Sequence, residues 1–115
     1  PALWVGHIRL TVSDVATSYR FYQQLGMRPV HQADGIAIAE LRGGTHVIFE
    51  AGEPEGGDTP FDLMVEDLPA IHQRWQDEGL DVSDIIPGDI HKVFVLTDPD
   101  GHRCVVYDSH VVGPV

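Results

Sequence analysis

The chain repeats itself at an offset of 53 residues, and the repeat breaks at its first position. Ile8-Arg9-Leu10-Thr11-Val12-Ser13-Asp14-Val15 is echoed by Phe61-Asp62-Leu63-Met64-Val65-Glu66-Asp67-Leu68, without a gap through Tyr22/Trp75 and Gly26/Gly79. His7 opens the first copy, and Pro60 stands in its place in the second. A period of about 50 residues is the signature of a repeated supersecondary unit. Differences between the copies mark where chemistry was added or lost.

Each copy has the same internal grammar. Ile8, Leu10 and Val12 alternate with His7, Arg9 and Thr11, the period of two expected of a half-buried strand. Asp14 then offers a helix N-cap. Val15, Tyr19, Tyr22 and Leu25, with Phe21, fall at helical spacing, and Gly26 supplies a stop. In the second copy Phe61, Leu63 and Val65 alternate, Asp67 caps, Leu68, Ile71, His72 and Trp75 form the stripe, and Gly79 ends it.

Three short strand-like runs follow each helix. They are expected near 28–31, 36–41 and 45–51, and again near 82–85, 92–97 and 103–108. Arg42-Gly43-Gly44 and Asp98-Pro99-Asp100-Gly101 are turns by composition. The Gly-, Pro- and acid-rich stretch 52–60 is a linker. These features predict an α+β fold made of two tandem βαβββ modules, about 5–51 and about 61–109, within a single domain of 115 residues. The modules are expected to share one cupped mixed sheet, with the helices outside.

Charge narrows the partners. The chain carries a net −11. Residues 1–53 hold four Arg against five Asp or Glu, whereas 54–115 hold three Lys or Arg against thirteen Asp or Glu. Such a chain repels nucleic acid. No apolar run approaches the roughly 20 residues of a membrane span, so no membrane partner is expected. Cys104 is the only cysteine, which excludes an intrachain disulfide and makes a reducing cytoplasm the expected setting. Alternation turns Cys104 toward the core, as an inert thiol.

The segment Gly6-His7-Ile8-Arg9-Leu10-Thr11-Val12-Ser13-Asp14, followed by Ser18-Tyr19-Arg20-Phe21-Tyr22 and Leu25-Gly26-Met27, resembles the opening of the vicinal oxygen chelate superfamily. This group includes glyoxalase I, extradiol dioxygenases, fosfomycin resistance enzymes and bleomycin-binding proteins. Asp98-Pro99-Asp100-Gly101, after Val93-Phe94-Val95-Leu96, resembles its second-module signature. The resemblance spans about 7–108 and implies paired modules and a homodimer. It also implies a site that in metal-dependent members takes ligands from four equivalent positions, two per module. Here these correspond to His7 and Glu50 in the first module and to Pro60 and Val105 in the second. Pro60 and Val105 cannot donate, and two donors fall short of the three that zinc or iron sites need.

The expectation is therefore a metal-independent, glyoxalase- or bleomycin-resistance-like protein that binds a small organic molecule in its cup. Strand parity assigns the cup His7, Arg9, His46, Ile48, Glu50, Asp62, Met64 and Tyr107, a few polar groups among apolar ones. The alternative is a metal-dependent lyase or dioxygenase whose non-standard ligand set includes His7 and Glu50. No residue is assigned a catalytic role. Arg9 and Asp62, equivalent in the repeat, are expected to form an ion pair. His72 is expected to be packed on its helix, and His91, His102 and His110 to lie at the surface. There is no nucleophile elbow, phosphate-binding glycine loop or Cys-x-x-Cys pair.

Overall fold

The computed structural model describes residues 1–114 and divides the chain into two compact units, Pro1–Gly56 and Gly57–Val115. The division falls inside the expected linker. The fold is α+β, and each unit is a helix packed on its own sheet.

The first unit runs β1 (His7–Val12), α1 (Val15–Leu25), β2 (Arg28–Ala33), β3 (Ile36–Glu40) and β4 (His46–Ala51). Its sheet has the order β1-β4-β3-β2, with β1 and β4 parallel and the other pairs antiparallel. Alternation in β1 buries Leu10 and Val12 and leaves His7 and Arg9 exposed. Asp14 caps α1 as expected, its carboxylate accepting from the Thr17 amide at 3.0 Å. Gly26 closes the helix at φ 125°, a conformation costly for any residue with a Cβ.

The buried stripe of α1 meets β3 and β4. Tyr22 and Phe49 are fully buried, with ring centroids 5.1 Å apart, and Ala37 and Ala39 keep β3 thin beneath the helix. Truncating such a buried aromatic costs roughly 3–5 kcal/mol. Tyr19 adds a polar tie, its hydroxyl accepting from the Val30 amide at 3.0 Å.

The second unit runs β5 (Leu63–Val65), α2 (Leu68–Asp77), β6 (Asp81–Val82), β7 (Ile86–Pro87), β8 (Lys92–Thr97) and β9 (Arg103–Asp108). The order is β5-β9-β8-β6, with β7 also paired to β8. Asp67 caps α2 through the Ala70 amide at 3.1 Å. Trp75 packs edge-on against the buried Phe94, with centroids 5.8 Å apart. His72 is packed as expected, T-shaped on Phe94 and 2.7 Å from the Ser83 carbonyl oxygen.

The strand expected over 82–85 is instead two short pieces. The Ser83 hydroxyl takes the Val95 amide at 2.8 Å, so a side chain occupies a ladder position and regular pairing stops there. Pairing resumes at Ile86 and Pro87, where an edge strand tolerates a residue without an N–H. The Asp98–Gly101 turn forms as expected, closed by the Gly101 amide on the Asp98 carbonyl at 3.0 Å. Arg42–Gly44 forms a tight turn, with Gly43 at φ 86° and so outside helical geometry.

Two histidine expectations are corrected. His102 is buried rather than at the surface, because Asp98 gives its ring nitrogen a partner at 2.9 Å. His91 is not simply exposed, because its ring stacks on Tyr107 at 4.5 Å and on His110 at 5.5 Å. His110 is exposed, as expected. None of the described helices is long and apolar enough to cross a membrane.

Candidate functional site

The register of the first sheet aligns four polar residues in one row. Arg28 on β2 lies opposite Glu40 on β3, Glu40 opposite His46 on β4, and His46 opposite His7 on β1. Opposed residues project from the same side of a sheet, so the row shares one face. The side chains engage in the same order. Arg28 Nη1 donates to Glu40 Oε2 at 3.1 Å, His46 Nε2 lies 3.1 Å from Glu40 Oε1, and the rings of His46 and His7 stack at 6.1 Å. Both oxygens of Glu40 are thus occupied, and the carboxylate anchors a guanidinium on one side and an imidazole on the other.

The next levels of this face are apolar and then charged. Ile48 lies between Arg9 and Ile38 in register, and Glu50 lies between Thr11 and Ile36. Arg9 Nη1 donates to Glu50 Oε1 at 2.5 Å. The expected Arg9–Asp62 pair is corrected accordingly: the partner of Arg9 is on the neighbouring strand of its own unit. Of the eight residues assigned from the sequence, His7, Arg9, His46, Ile48 and Glu50 are brought onto this one face.

In the second unit Met64 lies opposite Tyr107, so these two also share a face, and Tyr107 stacks on His91 and His110. Asp62 is exposed and precedes β5. The register also corrects a correspondence between the copies. Thr11 opposes Glu50, and 53 residues later Met64 opposes Tyr107. Tyr107, not Val105, therefore stands where Glu50 stands. The extra residues before the last strand of the second unit shift its offset, which a count from the first strand does not see.

The register does not set His7 beside Glu50. The two residues are four register steps apart, roughly 13 Å along the strands at about 3.3 Å per residue. Donors to one metal must all lie within about 2.3 Å of it. Glu50 is moreover engaged by Arg9. Among the described residues no group of three His, Cys, Asp or Glu is placed to hold a metal ion.

Sequence reasoning missed Arg28 and Glu40. The signal was present in Ile36, Ile38 and Glu40, which share parity, and in the turn after them that folds Glu40 back onto His46. Burial tunes one further group: it raises the Cys104 thiol to about 11, as fits a core residue.

Each unit is thus a sheet backed by one helix, with polar side chains grouped on one face of the first sheet. The sequence profile of the Glyoxalase/Bleomycin resistance protein/Dioxygenase superfamily matches residues 4–106, and the chain belongs to that superfamily. None of the curated proteins matches it. Among solved structures, a superfamily member from Sphaerobacter thermophilus superposes with a TM-score of 0.80 at 20% identity, covering 93% of this chain and 98% of its own. The bleomycin resistance determinant encoded on transposon Tn5 gives 0.75 at 18% identity, over 95% of this chain and all (100%) of its own. The oxidase ChaP-H1 gives 0.75 at 19%, over 97% and 100%.

Proposed function

We propose that this chain binds a small organic molecule against the polar face of its first sheet, without a metal, as a sequestering rather than a catalytic member of its superfamily. The observation that carries this reading is the row Arg28–Glu40–His46–His7, laid across all four strands beside Ile38 and Ile48. Small-ligand sites combine a few placed polar groups with an apolar floor. Here the polar groups hold one another, so little side-chain freedom is lost when a ligand arrives.

The ligand set on this face is His7, Arg9, His46, Ile48 and Glu50, and Asp62, Met64 and Tyr107 are proposed ligand-binding residues of the second unit. The likeness in fold to a bleomycin resistance determinant supports a sequestering role. The proposed setting is a cytoplasmic homodimer.

Calorimetric titration with metal-free bleomycin, before and after EDTA treatment of the protein, tests the reading. Binding is expected to be saturable, indifferent to EDTA and at least about tenfold weaker in His46→Ala, a loss of about 1.4 kcal/mol. Binding that disappears with EDTA and returns with a stoichiometric divalent metal overturns it.

A further inference from the structure

We propose that Asp34–Gly35, the turn between β2 and β3, is a modification site: the chain isomerises there to isoaspartate, the substrate of a carboxyl-methylating repair enzyme. Neither residue belongs to the proposed ligand set or to the row beside it, so this site stands apart from that reading.

The reaction needs a side-chain carboxyl, a following amide nitrogen free to attack it, and little bulk beside that nitrogen. The Gly35 nitrogen bonds to the side-chain carboxyl carbon of Asp34, and its proton leaves with the carboxyl hydroxyl as water. The cyclic succinimide so formed takes up one water again. Opening at the main-chain carbonyl puts the Cβ of Asp34 into the backbone, and opening at the side-chain carbonyl restores aspartate. One water leaves and one enters, and nothing is oxidised or reduced.

Three aspartates of this chain precede Gly or Ser, in Asp34-Gly35, Asp100-Gly101 and Asp108-Ser109. The structure separates them. The Gly101 amide donates to the Asp98 carbonyl at 3.0 Å, and the Ser109 amide to the Val65 carbonyl at 2.7 Å. Asp100 is held too, its own amide donating to the Asp98 carboxylate at 2.9 Å. Among the described residues the Gly35 amide has no hydrogen bond, and the Asp34 side chain has no hydrogen bond or ion pair. Both residues are exposed. A Cβ on Gly35 would meet nothing within 4 Å, so the cyclic intermediate has room.

The turn also fits its strands poorly. Ala33 pairs with Ile36, which leaves a two-residue connection. Gly35 has φ 78°, and no residue other than glycine has positive φ. That is the sign pattern of a type II turn, not of the mirror-image turns that follow strand twist. An exposed connection of this kind opens more readily than the ladder beside it, and opening brings the free nitrogen to the carboxyl.

The test ages the full chain in warm neutral buffer, then adds isoaspartyl methyltransferase with labelled S-adenosylmethionine and digests with trypsin. The three sites fall on separate peptides, 21–42, 93–103 and 104–115. Label should grow with age on 21–42 and exceed that on the other two at least about tenfold. Ageing in isotope-labelled water should insert one heavy oxygen into the same peptide. Asp34→Glu, which would have to close a larger ring, should lose the label. Asp34→Asn, which expels ammonia in place of water, should gain it sooner. Melting curves of both variants establish folding. Ageing in urea should bring 93–103 up to the level of 21–42, because the amide held by Asp98 is then released. Absence of label on 21–42, equal label on 93–103 in the folded protein, label that persists in Asp34→Glu, or a preference that survives urea each overturns the proposal.

Discussion

Arg9 passes over its register partner Ile48 and pairs diagonally with Glu50, at 2.5 Å. The pair ties β1 to β4 and occupies the Glu50 carboxylate. Its side chains are 63% and 43% exposed, so water screens the attraction. A double-mutant cycle on Arg9→Ala and Glu50→Ala, read by urea unfolding, should give a coupling below about 1 kcal/mol. Zinc should not raise the melting temperature, because Glu50 is held by Arg9 and no group of three donors is placed around an ion among the described residues. A coupling of several kcal/mol, or clear zinc stabilisation, would contradict this account of the face.

The Asp98–His102 pair is the opposite case, with side chains 1% and 4% exposed. One carboxylate oxygen of Asp98 accepts from the amides of Asp100 and His102, each at 2.9 Å, and the other faces the His102 ring. Removing the carboxylate leaves these donors without their acceptor in a turn that joins β8 to β9. Asp98→Ala should therefore cost about 3–5 kcal/mol in urea unfolding, the usual loss on breaking a buried pair. Asp98→Asn keeps one acceptor and should lose less. A loss under 1 kcal/mol for the alanine variant would mean that water replaces the carboxylate without penalty.

The division between what the sequence revealed and what it hid follows from range of interaction. Strand alternation in β1, the Asp14 and Asp67 caps and the stops at Gly26 and Gly79 depend on neighbours within a few residues, and all were legible. Strands β8 and β9 have the expected bounds, because their apolar alternation is uninterrupted. Partner choice was not legible. Whether Arg9 meets Asp62 or Glu50 depends on strand order, and whether Glu50 corresponds to Val105 or Tyr107 depends on register. His102 looked like a surface residue because nothing local announces that Asp98 folds back over it. The Arg28–Glu40–His46–His7 row joins residues from four strands, and only a completed sheet brings them together.

Cys104 yields a prediction in pH. Burial raises its thiol from 9.0 to about 11. The folded state keeps the proton over a range where the unfolded chain has lost it. The unfolded state thus binds fewer protons between pH 9 and 11, and stability falls as pH rises there. The contribution is present in full below pH 9 and is lost progressively toward pH 11. It amounts to about 3 kcal/mol at about 1.4 kcal/mol per pKa unit. Cys104→Ala should flatten this part of the stability profile. Thiol-reactive dye should label the native protein only as fast as it opens, and labelling at the rate of a free thiol would refute the burial.

Gly88 illustrates a steric rather than a conformational demand for glycine. Its amide donates to the His91 carbonyl at 3.0 Å, closing the turn between β7 and β8. An added Cβ would fall 2.4 Å from that same oxygen, which is backbone and has no rotamer in which to retreat. The comparable contact at Gly52 is a Thr11 methyl at 2.9 Å, which can yield by a small side-chain adjustment. Gly88→Ala should therefore destabilise by about 1–3 kcal/mol, as overpacked sites do, and Gly52→Ala by less. The opened turn should also carry His91 off Tyr107, so hydrogen exchange at Lys92 and Val93 should quicken in Gly88→Ala alone. If Gly52→Ala proves the more damaging variant, or exchange at β8 does not change, then the turn is not held by the close approach of Gly88 to His91.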